Sequence, residues 1–203
     1  MTRHYHTYLA LGDSYTIGEL VPLHESFPYQ AVQHLRQKGL HIHAPEIVAK
    51  TGWTTFELAE HLLHTQLNEQ YDFVTLLIGV NNQYRGLSTD DFKSDFEFLL
   101  KKAIHFAGHQ ADKVLVLSIP DWGLTPFAEG RDTATISKEI DHYNTLIQTV
   151  CKTYQVTYKD ITVSQRQDVG DKDFVASDGL HPSGKEYAKW ALATAAFILP
   201  KAG

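Results

Sequence analysis

Four short stretches of this 203-residue chain hold residue types that acyl-transfer chemistry uses. They are Gly12-Asp13-Ser14, Thr51-Gly52-Trp53, Gly79-Val80-Asn81-Asn82 and Asp178-Gly179-Leu180-His181. A serine hydroxyl attacks a carbonyl only when a base takes its proton. Imidazole can accept that proton and later return it to a leaving group. A carboxylate on the far ring nitrogen sets the tautomer and stabilises the imidazolium. An aspartate three residues before a histidine, as in Asp178 and His181, can supply that contact from one tight loop. Charge growing on the attacked oxygen calls for fixed donors, such as a backbone N–H or an asparagine amide. Each stretch alone has an ordinary explanation. Gly-Asp-Ser ends strands in turns, Gly52 suits any turn, and Asn81-Asn82 suits a loop with left-handed backbone. Their joint order and placement carry the weight.

The elements that must position these residues follow from periodicity. Strands are expected over 5–11, 41–48, 72–78, 113–119 and 155–161. Pro45 interrupts the second of these, which suits an edge strand. The third is almost continuously apolar, as in a strand covered on both faces. Helices are expected over 27–38, with Ser26 as N-cap and Gly39 at the end, and after Ser88, where Phe92, Phe96, Leu99, Leu100 and Ala103 form one face. Thr54-Thr55-Phe56-Glu57 reads as a capping box, with Trp53 and Leu58 at the hydrophobic-staple positions. A helix over 133–153 carries the stripe Ile136, Ile140, Tyr143, Ile147 and Val150. A second capping box, Ser183-Gly184-Lys185-Glu186, opens a final helix to about Leu199. Strands alternating with helices imply one α/β domain over residues 1–203 with a mainly parallel sheet. Ligands bind such sheets outside the carboxyl ends of the strands. The first three stretches fall at those ends, and the fourth lies in a late loop.

In this order, LGDSYTIG, TGWTT, IGVNN and DGLHPS resemble the SGNH (GDSL-type) hydrolase family. The resemblance implies a three-layer α/β sandwich with a five-stranded parallel, flavodoxin-like sheet of order 2-1-3-4-5. It implies Ser14 as nucleophile, His181 as general base and Asp178 as the carboxylate that orients it. The backbone N–H groups of Ser14 and Gly52 and the side chain of Asn81 match the oxyanion hole. The implied activity is a serine esterase acting on lipid-type or small acyl esters through an acyl-enzyme. A carbohydrate O-acetylesterase is the alternative within that chemistry, and a non-catalytic binding domain on the same scaffold is the alternative outside it. No metal or organic cofactor is implied. The third motif departs from the frequent Gly-x-Asn-Asp, because Asn82 stands in the last place. Gly12-x-Ser14-x-Thr16 also differs from the Gly-x-Ser-x-Gly elbow of α/β-hydrolases.

Tyr15, Trp53, Tyr84, Trp122 and Phe127 are candidates to line a substrate pocket, with core packing as the alternative, equally weighted for Trp53. Asp13 reads as a structural residue holding backbone N–H groups. Among the 12 histidines, the pairs His41/His43 and His61/His64 each share a face, but neither has a zinc-type companion set. A net charge of −6 without a Lys/Arg cluster argues against nucleic-acid or anionic-membrane partners. No apolar run reaches membrane-spanning length, so the expected partner is a small ester. Cys151 is the only cysteine, which excludes an internal disulfide. With no recognisable signal peptide, a cytoplasmic location is expected. Oligomeric state is not legible.

Overall fold

Strands β1 (Tyr8–Asp13), β2 (Glu46–Lys50), β3 (Phe73–Leu77), β4 (Val114–Leu117) and β5 (Thr157–Lys159) pair in parallel in the order β2-β1-β3-β4-β5. Leu11 stands opposite Val48 on one side and Leu76 on the other. The computed structural model describes residues 4–168 and 170–202. Eight α-helices are found among them: α1 (Ser14–Ile17), α2 (Phe27–Gln37), α3 (Thr55–His64), α4 (Val80–Tyr84), α5 (Thr89–Phe106), α6 (Thr133–Thr153), α7 (Thr162–Asp168) and α8 (Gly184–Ile198). None of the described helices is long and apolar enough to cross a membrane.

Side-chain alternation along the strands builds the layers. Leu9 and Leu11 of β1 join Val74 and Leu76 of β3 under the inner face of α5. Tyr8, Ala10 and Phe73 point the other way, against Val32 and Leu35 of α2 and Ala195 and Ile198 of α8. Successive strand residues face opposite sides. A strand covered by helices on both sides must therefore be apolar throughout, and every residue of β1 and β3 is buried. The expected faces of α5 and α6 are buried residue for residue.

Several local expectations need correction. The second strand begins only at Glu46, after Pro45, whose ring nitrogen has no hydrogen to donate to a ladder. Residues 41–43 make only an isolated bridge to His6. Ser26 precedes α2 but does not cap it with its side chain, because its hydroxyl donates to the Leu23 carbonyl at 2.9 Å. The capping box at α3 forms as expected, with the Thr54 N–H donating to Glu57 Oε2 at 2.8 Å. The one at α8 does not. Ser183 Oγ accepts from the Lys185 N–H, while Glu186 turns inward. There it accepts from Trp190 Nε1 at 2.8 Å and pairs with Lys189 Nζ at 3.0 Å. A buried indole N–H needs an acceptor, and Glu186 sits one turn before it. Helices α1, α4 and α7 were not anticipated, since segments of four to seven residues show no periodicity.

Candidate active site

The chain runs from β1 to β2 on one side and then to β3 on the other, so the sheet opens at the carboxyl ends of β1 and β3. Ser14 begins α1 directly after β1. The turn is close: a Cβ on Gly12 would lie 2.1 Å from Thr16 Oγ1 and 2.4 Å from the Leu77 carbonyl oxygen. Only glycine lets the two strands and α1 approach this far. Asp13 Oδ1 accepts the Tyr15 N–H at 3.0 Å, which caps α1. Its Oδ2 is buried with no partner. Burial pushes the Asp13 carboxyl up to about 7, with the Tyr15 N–H pulling it partly back. A carboxyl whose native value lies above its ordinary 3.8 holds its proton longer when folded. Stability from this group is therefore full below about pH 4 and falls as pH rises to about 7. Asp13→Asn removes that slope. Relative to wild type, the variant is expected to gain stability from pH 4 to 8, on the order of a few kcal/mol, as read from denaturant midpoints at each pH.

Gly52 follows β2 and Asn81 lies in α4 after β3. Gly52 has φ +83°, a backbone state that side chains resist. Its carbonyl accepts from Arg85 Nη2, and Arg85 also pairs with Glu57 at 3.3 Å, so the turn is tied to α3. Asn81 Nδ2 donates one proton to the Trp53 carbonyl at 2.9 Å. An amide NH₂ has two donors, which leaves one for a ligand.

Asn82, the departure from the frequent motif, has a visible task. Its Oδ1 accepts the Thr55 N–H at 3.0 Å and its Nδ2 donates to Thr55 Oγ1 at 2.8 Å. It thereby ties the start of α3, and with it the Gly52 turn, to α4. An aspartate could accept from both Thr55 groups. Asn82→Asp is accordingly expected to unfold near the wild-type denaturant midpoint at neutral pH. Asn82→Ala orphans a buried N–H and should lose about 1–3 kcal/mol in the same urea titration.

Asp178 and His181 occupy a loop joined to the aromatic wall by the Phe127 N–H, which donates to the Gly179 carbonyl at 2.9 Å. Asp178 Oδ1 accepts the N–H groups of Leu180 and His181, each at 3.0 Å, while Oδ2 lies 2.6 Å from His181 Nδ1. Burial opposes ionisation of Asp178, but the imidazole and the two backbone N–H groups outweigh it and hold the carboxyl below its ordinary range. An ionised carboxylate only accepts, so Nδ1 carries the proton, and the neutral ring then presents Nε2 as the acceptor. The Tyr15 ring, 5.5 Å from that of His181, restricts the imidazole from the side.

Ser14, Gly52, Asn81 and His181 all line one cavity of about 200 Å³, together with Tyr15, Thr51, Val80, Tyr84, Trp122, Phe127 and Leu180. Four of the five aromatic candidates are thus on its wall. Trp53 is the correction: its backbone carbonyl holds Asn81, but its ring packs on His61 at 4.7 Å. Gln83 was missed, although it stands two residues after Asn81. Its Oε1 accepts from Trp122 Nε1 at 2.7 Å and sets that ring. Arg131 was also missed. Its guanidinium lies 4.9–5.6 Å from the ring centres of Tyr84, Trp122 and Phe127, three of the lining rings.

The sequence matches the family model described as "GDSL-like Lipase/Acylhydrolase family" over residues 10–189. The chain belongs to this family. It is accordingly an SGNH-type serine hydrolase. Among solved structures, the GDSL fold is matched by Axe2, an acetylxylan esterase from Geobacillus stearothermophilus, at 17% identity and TM-score 0.72, covering 98% of this chain and 94% of that one. TesA matches at 17% identity and TM-score 0.70, covering 96% and 97%. A lipase/acylhydrolase from Enterococcus faecalis matches at 22% identity and TM-score 0.68, covering 96% and 94%. A comparison with curated proteins found no match.

Proposed function

We infer that this GDSL hydrolase cleaves short-chain carboxylic esters with Ser14 as nucleophile and His181 as base. The observation that carries this reading is one cavity lined by both Ser14 and His181, with Asp178 on the opposite ring nitrogen at 2.6 Å. Ser14 Oγ bonds to the acyl carbon as its proton passes to His181 Nε2. The resulting oxyanion is held by the Ser14 and Gly52 N–H groups and by the free Asn81 Nδ2–H. Collapse breaks the bond to the alcohol, which leaves with the proton from His181. Water then gives its proton to His181 and attacks the acyl-serine, releasing the acid and restoring Ser14. Loss of one such donor costs about 10²–10³ in rate. Asn81→Ala is expected to lower kcat by that factor with little change in KM, measured by steady-state hydrolysis.

The room beside Ser14, about 200 Å³ walled by Tyr84, Trp122, Phe127 and Leu180, holds an acetyl to butyryl group. It also suits an acetylated carbohydrate as a second reading, consistent with the fold shared with an acetylxylan esterase. The test is a p-nitrophenyl ester series from acetate to palmitate, run beside acetylated xylo-oligosaccharides. Highest kcat/KM at two to four carbons is expected. A palmitate preference would overturn the short-chain reading. No turnover and no fluorophosphonate labelling would overturn the esterase in favour of a binding domain. The buried Cys151, its thiol pushed up to about 12 by burial, is compatible with a reducing, cytoplasmic setting.

A further inference from the structure

At the opposite, amino-terminal edge of the sheet, His4, His6 and Asp72 turn one ligand atom each toward a common point, all within 4.8 Å of one another. We propose that this cluster is a structural Zn²⁺ site, with His4 Nε2, His6 Nδ1 and Asp72 Oδ1 as ligands and water completing the coordination. It is separate from the ester-cleaving site, because the length of β1 puts roughly 20 Å between them.

Asp72 Oδ1 is 3.6 Å from His4 Nε2 and 3.6 Å from His6 Nδ1. With metal–ligand bonds of about 2.0–2.2 Å in tetrahedral geometry, neighbouring ligand atoms stand about 3.3–3.6 Å apart. The same 3.6 Å is too long for a hydrogen bond, and His6 Nδ1 is buried with no other partner. A buried polar atom without a partner needs an explanation, and a cation between the three groups supplies one. Two imidazoles and one carboxylate suit zinc better than calcium or magnesium.

The surrounding backbone already holds two of the ligands. Asp72 Oδ2 accepts the Thr7 N–H at 2.8 Å and Thr7 Oγ1 at 2.9 Å, which aims Oδ1 at the imidazoles. The His6 N–H donates to the His41 carbonyl at 2.8 Å, and the His6 carbonyl accepts the His43 N–H at 2.9 Å. Hydrogen bonds that orient a ligating carboxylate, as Thr7 does for Asp72, accompany metal ligands. His4, whose side chain is 72% exposed, is the solvent-facing ligand of the three. The occupied site would clamp the segment leading into β1 to the start of β3. The signal in the sequence is His4-Tyr5-His6, where alternation puts both imidazoles on one side of an extended chain.

The test is calorimetric titration of the metal-free full chain with Zn²⁺, with Co²⁺ absorption and thermal unfolding as parallel readouts. Wild type is expected to bind one Zn²⁺ per chain. At zinc 100-fold over Kd, its unfolding midpoint should rise by about 5–10 °C. His4→Gln should weaken binding about 10-fold. The double variant His4→Gln/His6→Gln should weaken it at least 100-fold and lose the thermal shift, with ester hydrolysis unchanged. No zinc binding by wild type overturns the proposal. So does undiminished binding by the double variant, which would assign the metal to other histidines. Circular dichroism of the metal-free double variant separates loss of ligands from loss of fold.

Discussion

Ser14→Ala is expected to abolish ester hydrolysis, with kcat falling by about 10⁶ if Ser14 and His181 act as a unit. The reason is chemical as well as geometric. Alanine leaves the cavity, the Gly52 turn and the Asn81 amide in place, so substrate still binds. It removes the hydroxyl proposed to form the acyl-serine. The variant should therefore keep wild-type stability and lose fluorophosphonate labelling completely. Steady-state hydrolysis of p-nitrophenyl acetate and active-site titration make the two measurements. Retained labelling in Ser14→Ala would assign the nucleophile elsewhere, and a loss below 10-fold would remove Ser14 from the chemistry.

The second large effect is expected at Asp178. Asp178→Asn keeps the size of the side chain and can preserve the acceptor for the Leu180 and His181 N–H groups. What it changes is the atom facing His181 Nδ1. An amide NH₂ placed there favours the wrong imidazole tautomer, with the proton on Nε2, where Ser14 needs a base. In a comparable triad this substitution lowers kcat by about 10⁴, and the same order is expected here at neutral pH. A merely structural Asp178 would lower stability and leave the pH–rate profile unshifted, so the profile of kcat/KM discriminates the two. The substitution has a stability signature as well. Asp178 ionises more readily folded than unfolded, so its contribution is full above the ordinary carboxylate range and is lost as pH falls through the lower native value. The wild-type advantage over Asp178→Asn should therefore be greatest above about pH 4 and smallest in strong acid, as followed by urea unfolding.

Much of the site was legible because its residues sit at places that local pattern already marks. Ser14 and Asn81 each follow an apolar strand and Gly52 follows an edge strand, and Asp178 and His181 are near enough in sequence for one loop to join them. Trp53 was ambiguous for a physical reason. At the staple position before α3, a ring can turn toward the sheet edge or down the helix, and His61, two turns along, took it. Gln83 and Arg131 were not legible because their partners are remote in sequence. Trp122 meets Gln83 across 39 residues, and Arg131 reaches Tyr84 from a different loop. Glu186 misled because a capping-box pattern does not show that Trp190, one turn later, needs a buried acceptor.

Local pattern alone determined the alternation of strands and helices, the buried faces of α5 and α6 and the capping box at α3. Each depends on neighbours within about one to two helical turns or along one strand, and motif order carried the family. Tertiary structure decided what distant segments do to one another. It brought the carboxyl ends of β1, β2 and β3 and the 178–181 loop around one cavity. It gave Asn82 a partner in Thr55 and walled the cavity with four aromatic residues. It also gathered His4, His6 and Asp72, separated by 66 to 68 residues, at the other end of the sheet. Contacts across such separations depend on strand order and register, which no single segment encodes.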